Sequence, residues 1–222
     1  MTGSYASLLS VTGAARCVSC MSFGDGVTKC VGVENPDRVV LPLRCDVAGL
    51  ESDALGFADD EWLPHFNTGY YEGDWSGIAL RASGNSVSLY PDPHSASGFS
   101  NTSALDRCPN VRRLLEEIEC EKTSIRFLRL GPGAHVREHR DYGLEFALGE
   151  ARLHIPITTG PGVQFILDGI PIAMTPGECW YVDVNRPHSV ANSGDTNRIH
   201  LVIDCNVNSW LISALRFNHA NA

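Results

Sequence analysis

The amino-acid sequence predicts a mainly β protein of barrel or jelly-roll type with a few flanking helices. Between residues 123 and 205, short apolar segments alternate with Gly/Pro-rich turns, as in closed or double-sheet β architectures. Within this region, Asp168-Gly169 separates VQFIL from IPIAM, which is a strong β-hairpin signal. Clear helical periodicity is confined to residues 106–120.

The first third of the chain comprises an irregular N-terminal segment and the start of one domain. Residues 1–35 are rich in Gly, Ser and Thr and predict an irregular N-terminal segment. We expect residues 36–222 to form a single domain, because no repeat or second domain is visible. Residues 38–50 predict a strand that leads into a turn. Pro42 fits an edge strand or the end of the strand better than a central position, because proline donates no hydrogen bond to a neighbour.

The segment at residues 62–81 is crowded with aromatic and polar side chains. One interpretation is an aromatic plug on the side of the barrel, and the other is a wall that faces a substrate. The candidate substrate-binding residues are Trp62, His65, Asn67, Tyr70, Trp75 and Arg81. Arg81 could bind a substrate carboxylate or form a surface salt bridge, and the sequence favours neither. The connection at residues 82–105, rich in Ser, Pro and Gly, is typical of a lid or a disordered loop.

Residues 106–120 predict an amphipathic helix packed against a sheet. Val111, Leu114, Leu115 and Ile118 share one face, and Asp106 or Asn110 could cap the start. Residues 208–217 predict a short closing helix. For the predicted strand at residues 123–130, each face mixes apolar and charged residues, so the sequence does not show which face meets the core.

Composition and charge exclude some classes of partner and location. The 222 residues carry a formal net charge of -9 without a basic stripe, which argues against a nucleic-acid partner. No apolar run is long enough to cross a membrane, and the N-terminus is a poor secretory signal, which favours a cytoplasmic protein. Eight cysteines are then expected to be reduced. Cys17 and Cys20 form a C-x-x-C that lacks the second pair of a zinc site.

A candidate metal centre is formed by His139, Asp141 and a later histidine, His188. Alternate residues of a strand share a face, so His139 and Asp141 can point at one interior position while Arg140 points away. A barrel can bring His188 to the same place. Two imidazoles and one carboxylate suit a mononuclear Fe(II) site that keeps coordination positions open. His135 competes as a ligand, and His139 is preferred because a carboxylate follows two residues later.

Two later strands carry charged and imidazole side chains on the face opposite their apolar residues. Arg152 and His154 share one strand face, and Arg198 and His200 share another. An unpaired buried charge is costly, so arginine projecting into a jelly roll needs a partner, and a dianionic ligand would supply one. The alternative is that both arginines face solvent and that His139 lies in a surface loop.

Four motifs together resemble the aspartyl/asparaginyl β-hydroxylase family of Fe(II)/2-oxoglutarate dioxygenases. They are EHRDYG, RLHIPI, RPHSV and NRIHLVID, within residues 125–205. The resemblance implies a double-stranded β-helix (jelly-roll, cupin-like) fold. It also implies that His139 and His188 bind iron, that Arg198 holds the distal carboxylate of 2-oxoglutarate, and that Arg152 and His154 contact this co-substrate near the metal.

The carboxylate at Asp141 refines this resemblance. The peptide-hydroxylating animal members lack the carboxylate ligand, and the complete triad is similar to that of bacterial amino-acid-hydroxylating relatives. The expected activity is therefore hydroxylation of an unactivated C–H of a free amino acid or short peptide, with O2 consumed and succinate and CO2 released. A cupin-like metalloprotein with other chemistry or with ligand binding alone is the second hypothesis, and a degenerate scaffold is the third.

Overall fold

The computed structural model describes residues 21–22, 28–29, 36–83 and 98–219. The strands are β1 Met21–Ser22, β2 Thr28–Lys29, β3 Arg38–Arg44, β4 Leu63–Pro64, β5 Tyr71–Glu72, β6 Trp75–Ser83, β7 Phe99–Asn101, β8 Lys122–Leu130, β9 His135–His139, β10 Glu150–Thr158, β11 Val163–Leu167, β12 Ile170–Ile172, β13 Glu178–Val182, β14 His188–Asn192 and β15 Arg198–Asn206. The helices are α1 Val47–Leu55, α2 Ser103–Asp106, α3 Pro109–Glu117 and α4 Ser209–His219. Three 3₁₀ turns span Asp59–Glu61, Thr68–Tyr70 and Phe146–Leu148.

Some sequence interpretations lie outside the described residues. They concern most of residues 1–35, including the C-x-x-C of Cys17 and Cys20, and the part of the long connection at residues 84–97. Within the N-terminal segment, β1 and β2 pair as a short antiparallel ladder, with Met21 opposite Lys29.

Two antiparallel sheets make up the body of the described structure, and this confirms the jelly-roll prediction. The larger sheet has the order β3-β13-β10-β15-β8-β6-β4, with β7 paired to β6, and the smaller sheet has the order β12-β11-β14-β9-β5. The chain of the second half therefore crosses repeatedly from one sheet to the other: β10, β13 and β15 lie in the larger one, and β9, β11, β12 and β14 in the smaller one. Such alternation is the double-stranded β-helix arrangement that two Greek keys produce.

The larger sheet is covered on both faces. One face packs against the helices in a core that includes Leu50 of α1, Val111 of α3 and Leu211 of α4. The other face meets the smaller sheet, where Leu130, Phe165 and other apolar side chains form a second core. Functional side chains that point between the sheets are therefore enclosed by apolar layers.

Strand alternation decides which side chains enter the space between the sheets. In β10, Leu153 and Ile155 pack into the helix-side core, so Arg152 and His154 face the other way. In β15, Leu201 and Ile203 join the same helix-side core. The alternating pattern in the sequence had predicted this division. Arg152 and Arg198 are both buried, so neither arginine lies on a solvent-exposed sheet face.

The prediction for residues 38–50 was wrong in its second half. The strand expected at residues 38–50 ends at Arg44, and residues 47–55 form the helix α1 instead of a turn. Asp46 caps this helix through the Gly49 N–H at 3.1 Å. Pro42 does lie in an edge strand, as predicted, because β3 is the last strand of the larger sheet.

The predicted helix at residues 106–120 is shorter and is capped differently. Cys108 occupies the N-cap of α3, Pro109 follows it, and neither Asp106 nor Asn110 caps the helix with its own side chain. The cap comes from α1: Asp53 accepts the N–H groups of Asn110 and Val111 at 2.9 and 2.8 Å. A carboxylate from a different helix thus satisfies the free donors at the start of α3.

The hairpin and the closing helix are confirmed. Asp168 and Gly169 connect β11 to β12 with φ of 49° and 74°, the left-handed backbone of a tight hairpin turn. The helix predicted at residues 208–217 is α4. Among the described residues, none of the helices is both long and apolar enough to cross a membrane.

Candidate metal centre

His139, Asp141 and His188 meet at one end of the space between the sheets. One possible ligand atom from each residue lies within 4.8 Å of the others. His139 ends β9 and His188 begins β14, and these two positions are paired across the two strands. Asp141 follows β9 by two residues, and its backbone N–H is held by the Val184 carbonyl at 2.9 Å. The exposed Arg140 points away, to the Asn185 carbonyl at 2.8 Å, as the sequence predicted.

The hydrogen bonds of the two imidazoles fix which nitrogen faces the centre. Nδ1 of His139 lies 2.8 Å from the Arg137 carbonyl, and Nδ1 of His188 lies 3.0 Å from the Arg186 carbonyl. A carbonyl only accepts, so Nδ1 carries the proton and donates in both rings, which leaves Nε2 with its lone pair for a metal. In His139 this Nε2 is 3.6 Å from an Asp141 oxygen.

The surroundings of His188 and Asp141 shift their pKa values towards the protonation states that bind a cation. Burial, followed by the neighbouring His139, lowers the pKa of His188 to about 4, so its imidazole is neutral at physiological pH. Burial alone would raise the pKa of Asp141, but Arg152, His188 and His139 outweigh it and lower that pKa below the ordinary value. Neutral imidazoles and an ionised carboxylate are the protonation states that metal coordination requires.

His135, the alternative ligand, lies elsewhere. It pairs across the strands with Ala191, and its Nε2 is 3.8 Å from a carboxylate oxygen of Glu72 at the surface. Its side chain is 42% exposed and does not line the cavity at the centre. The choice of His139 over His135 therefore agrees with the geometry.

A cavity of about 140 Å³ opens onto the three residues. Its polar lining includes Arg126, Arg152, His154 and Arg198, and its apolar lining includes Phe165 and Val190. The sequence had predicted Arg152, His154 and Arg198 near the metal. Arg126 and Phe165 were missed: Phe165 had no distinguishing signal, and Arg126 lay on a strand whose faces could not be assigned.

Arg198 is a buried cation in the lining of this cavity. It is 4% exposed, and burial lowers its pKa to about 9. Its Nη2 donates to His200 Nδ1 at 2.9 Å, and its Nε has no hydrogen-bond partner among the described residues. Within the described part of the chain, no carboxylate lies at ion-pair distance from Arg198. A buried guanidinium without a counter-charge favours an anionic ligand in the cavity.

His154 lines the same cavity as this guanidinium and the three residues of the metal centre. Neither ring nitrogen has a hydrogen-bond partner among the described residues, although the side chain is buried. Burial, then Arg152 and Arg198, lowers its pKa well below the ordinary value, so the ring is neutral. Buried imidazole nitrogens of this kind are available to a polar ligand, since leaving them unsatisfied costs free energy.

Arg152 also lines the cavity, but protein carboxylates occupy much of its hydrogen-bonding capacity. It bonds Asp204 through Nε at 2.6 Å and through Nη2 at 3.0 Å, and its Nη1 bonds Asp141. Asp204 lies on the same face of β15 as Arg198 and His200, and the sequence analysis did not predict it as a site residue.

The aromatic segment divides into cavity residues and structural residues. His65, Tyr70 and Trp75 line the cavity together with Phe66. The rings of His65 and Trp75 are stacked with centroids 3.7 Å apart, and Tyr70 stacks on His139 at 5.6 Å. Burial lowers the pKa of His65 to about 4. This stack forms one wall of the cavity beside the candidate metal ligands.

Trp62, Asn67 and Arg81 do not line the cavity. Trp62 is buried in the helix-side core, under the guanidinium of Arg129 at 4.7 Å. Asn67 caps a 3₁₀ turn by accepting the Gly69 N–H at 3.2 Å. Arg81 bonds the Lys122 carbonyl and Asn101 at 2.8 Å each. Their prediction as substrate-binding residues relied on closeness in sequence, but strand alternation and the local turn direct them elsewhere.

Two facing antiparallel sheets with a His, Asp and His group between them define a jelly-roll protein with a candidate metal centre. The sequence profile of the aspartyl/asparaginyl β-hydroxylase family matches residues 48–207. The chain belongs to this family, which confirms the resemblance seen in the motifs. The matched span contains each residue of the candidate centre and of its cavity.

Comparison with single proteins gives further similarities. The chain is 32% identical over 110 residues to L-proline cis-4-hydroxylase from Rhizobium meliloti (strain 1021), which covers 49% of this chain and 39% of that protein. The chain thus matches about two fifths of the length of that relative. Among solved structures, it is similar to a 2OG-Fe(II) oxygenase family oxidoreductase from Burkholderia pseudomallei (16% identity, 78% of this chain and 88% of the other, TM-score 0.48). A prolyl-4-hydroxylase from Pseudomonas putida is also similar (14% identity, 78% and 94%, TM-score 0.47).

Proposed function

We propose that the protein is an Fe(II)- and 2-oxoglutarate-dependent dioxygenase that hydroxylates an unactivated C–H of a free amino acid or short peptide. Family membership supports the class of reaction. A single structural observation carries the proposal: the triad of His139, Asp141 and His188 shares one cavity with Arg198, a buried cation that lacks a carboxylate partner among the described residues. A site for a divalent metal and a site for an anion thus lie side by side.

The residues present fit both groups. His139 Nε2, His188 Nε2 and Asp141 would hold Fe(II) on one side, which leaves coordination positions for a chelating co-substrate and O2. Bound Fe(II) and 2-oxoglutarate supply the oxidising chemistry, which converts a C–H bond and O2 into a hydroxyl group with release of succinate and CO2. Arg198 would bind the distal carboxylate of 2-oxoglutarate, because a guanidinium is a strong partner for this group.

The remaining cavity residues orient ligands and exclude water. His154 offers neutral ring nitrogens in the same cavity, and Arg152 stays a proposed co-substrate contact beside Asp141. The wall of His65, Tyr70 and Trp75 would meet the substrate, since aromatic rings with polar tips bind small organic molecules. Phe165 and Val190 close the other side, so a reacting group would be shielded from bulk water.

The family and one relative indicate the proposed substrate class. An amino acid or short peptide is proposed because of the family, and because the relative from Rhizobium meliloti is named for an amino acid, L-proline. The small cavity favours a compact target group. O2 is the second substrate, and the acidic net charge of -9 supports the absence of a nucleic-acid partner.

An anaerobic titration with Fe(II) and 2-oxoglutarate tests this proposal before any substrate is known. The chelate of 2-oxoglutarate on iron should give a metal-to-ligand charge-transfer band in the visible spectrum of the wild-type protein. The band should be absent in His188→Ala and present in His135→Ala. If iron is shown to bind but the band does not form, the cavity does not hold 2-oxoglutarate, and a cupin-like metalloprotein with other chemistry becomes the better hypothesis.

A further inference from the structure

A buried network of alternating charges runs from the larger sheet to the candidate metal ligand Asp141. Asp204 lies at its middle and binds two arginines, Arg152 by the two hydrogen bonds described above and Arg126 by one at 2.9 Å. Ser124 accepts from the same Arg126 nitrogen at 2.6 Å. Arg152 then reaches Asp141 with its remaining terminal nitrogen, Nη1. The order of contacts is therefore Ser124, Arg126, Asp204, Arg152, Asp141.

The three central residues of this network are buried. The side chains of Arg126, Asp204 and Arg152 are 1%, 2% and 8% exposed. Buried charges at this depth are stable only when they are paired and hydrogen-bonded. The two guanidinium groups and the two carboxylates of the network cancel in charge. Burial alone would raise the pKa of Asp204, but Arg126 and Arg152 outweigh it and hold that pKa far below its ordinary range.

The geometry divides the donors of Arg152 between two carboxylates. Asp204 takes Nε and Nη2, in the two-point arrangement that fixes a guanidinium plane. Only Nη1 is directed at Asp141. Neighbouring strands set this division, because Arg152 of β10 and Asp204 of β15 are Cα partners in the ladder, and Asp204 pairs with Ser124 of β8 on its other side.

We propose that Asp204 is a positioning residue for the metal centre. It holds Arg152 so that one guanidinium nitrogen orients Asp141. The negative charge of Asp204 also offsets the positive charge of Arg152, which would otherwise oppose a metal cation at Asp141. The inference rests on the proposed metal site and extends it to two residues, Asp204 and Arg126, for which the sequence predicted no role. Ligand partners of this kind commonly change metal affinity by about 10–100-fold when they are removed.

Loss of the Asp204 charge has a defined direction. In Asp204→Asn, the side chain keeps its shape but no longer neutralises Arg152. The full guanidinium charge then acts on Asp141 and opposes a divalent cation there. We expect Mn(II) binding, measured by calorimetry without 2-oxoglutarate, to weaken by about 10–100-fold. Mn(II) is the probe because it suits this ligand set and does not oxidise in air as Fe(II) does.

A double-mutant cycle separates an effect through Arg152 from a field effect at a distance. If Asp204 acts through Arg152, Asp204→Asn should change Mn(II) affinity by no more than about twofold in the Arg152→Met background. If Asp204 acts by its own field or by general structure, the loss of affinity should be the same in both backgrounds, and this result would overturn the proposal. Asp195→Asn, at an exposed position, is the matched control and should bind as the wild type does.

Two further measurements keep the outcomes distinct. If Asp204→Asn does not fold, Asp204→Glu keeps the charge but moves the carboxylate outward by one methylene, and it should also weaken Mn(II) binding. Unchanged affinity in a folded Asp204→Glu protein would argue against a positioning role. Failure of the proposed function looks different: the wild-type protein itself would bind no Mn(II), or His188→Ala would bind it as tightly as the wild type.

Discussion

His139 and His188 are Cα partners on the neighbouring antiparallel strands β9 and β14, and their ring centroids lie 4.2 Å apart. Each ring donates its Nδ1 proton to the carbonyl of the residue two positions earlier. The same local device therefore holds both imidazoles, whose planes are 49° apart, with Nε2 directed to the shared centre. Strand pairing, and not the sequence interval of 49 residues, brings them together.

The first prediction concerns the ligand set. His139→Ala and His188→Ala should each abolish tight binding of Fe(II) or Mn(II), because two remaining protein ligands rarely hold a divalent ion firmly. His135→Ala should bind metal as the wild type does, since His135 lies at the surface beside Glu72. Anaerobic calorimetry on the three variants measures this. Loss of metal in His135→Ala with retention in His139→Ala would reverse the assignment.

The second prediction concerns the anion site. Arg198→Met keeps most of the apolar side chain but removes the buried charge, so the 2-oxoglutarate concentration needed for half-maximal charge-transfer absorbance should rise. A hydrogen-bonded charge contributes about 1.5–3 kcal/mol, which corresponds to about 10–150-fold. Arg81→Met is the control, because Arg81 bonds Lys122 and Asn101 and does not line the cavity. An unchanged requirement in Arg198→Met would move the co-substrate elsewhere.

The third prediction concerns the contact between α1 and α3. Asp53→Ala removes the acceptor for two backbone N–H groups and for the Asn110 side chain. Loss of a cap together with unsatisfied buried donors should lower the free energy of unfolding by about 2–4 kcal/mol. Urea denaturation measures it. Asp46→Ala removes an exposed cap within α1 and should cost only about 1 kcal/mol. Equal costs would mean that the tertiary cap contributes nothing beyond a local one.

The fourth prediction concerns stability against pH. Burial, then Asp204 and Glu121, raises the pKa of Glu150 from 4.5 to about 7. The folded protein therefore keeps this proton over a range in which the unfolded chain has lost it. The stability linked to Glu150 is complete below about pH 4.5 and is lost as the pH rises towards about 7. Because the side chain is only half-buried, solvent screening reduces the effect to about 1 kcal/mol.

Glu150→Gln tests this linkage, because glutamine does not ionise. Between about pH 5 and about pH 8, the unfolding free energy of the wild type should fall by about 1 kcal/mol more than that of the variant. Urea titrations at the two pH values give the difference directly. Parallel changes in the two proteins would show that Glu150 has an ordinary pKa in the fold.

Local patterns were sufficient for most of the architecture and for the candidate metal ligands. The His-x-Asp spacing put His139 and Asp141 in reach of one point, and the alternation of β10 and β15 showed that Arg152, His154 and Arg198 lie opposite the apolar face. Both are short-range properties of an extended chain. The two-residue hairpin at Asp168-Gly169 was visible for the same reason, because backbone conformation there depends on residue type.

Other features depended on contacts between distant segments. The helix α1 was not predicted, and its Gly49 packs closely against Asn110 of α3, where an added Cβ would lie 2.8 Å from the Asn110 side chain. The cap of α3 is supplied by Asp53, 57 residues away, so no inspection of the helix start could reveal it. Trp62 and Arg81 were assigned to a pocket wall, although the core and a neighbouring strand hold them.

The sequence by itself determined the β-rich class, the family, and the candidate residues for a metal and an anion, because these follow from side-chain chemistry at fixed short spacings. Only the tertiary structure decided how those groups are connected. It placed Asp204 and Arg126 behind Arg152, left Arg198 without a carboxylate partner in the described part of the chain, and stacked His65 on Trp75. Each of these depends on strand order and register, which arise from the packing of the two sheets as a whole.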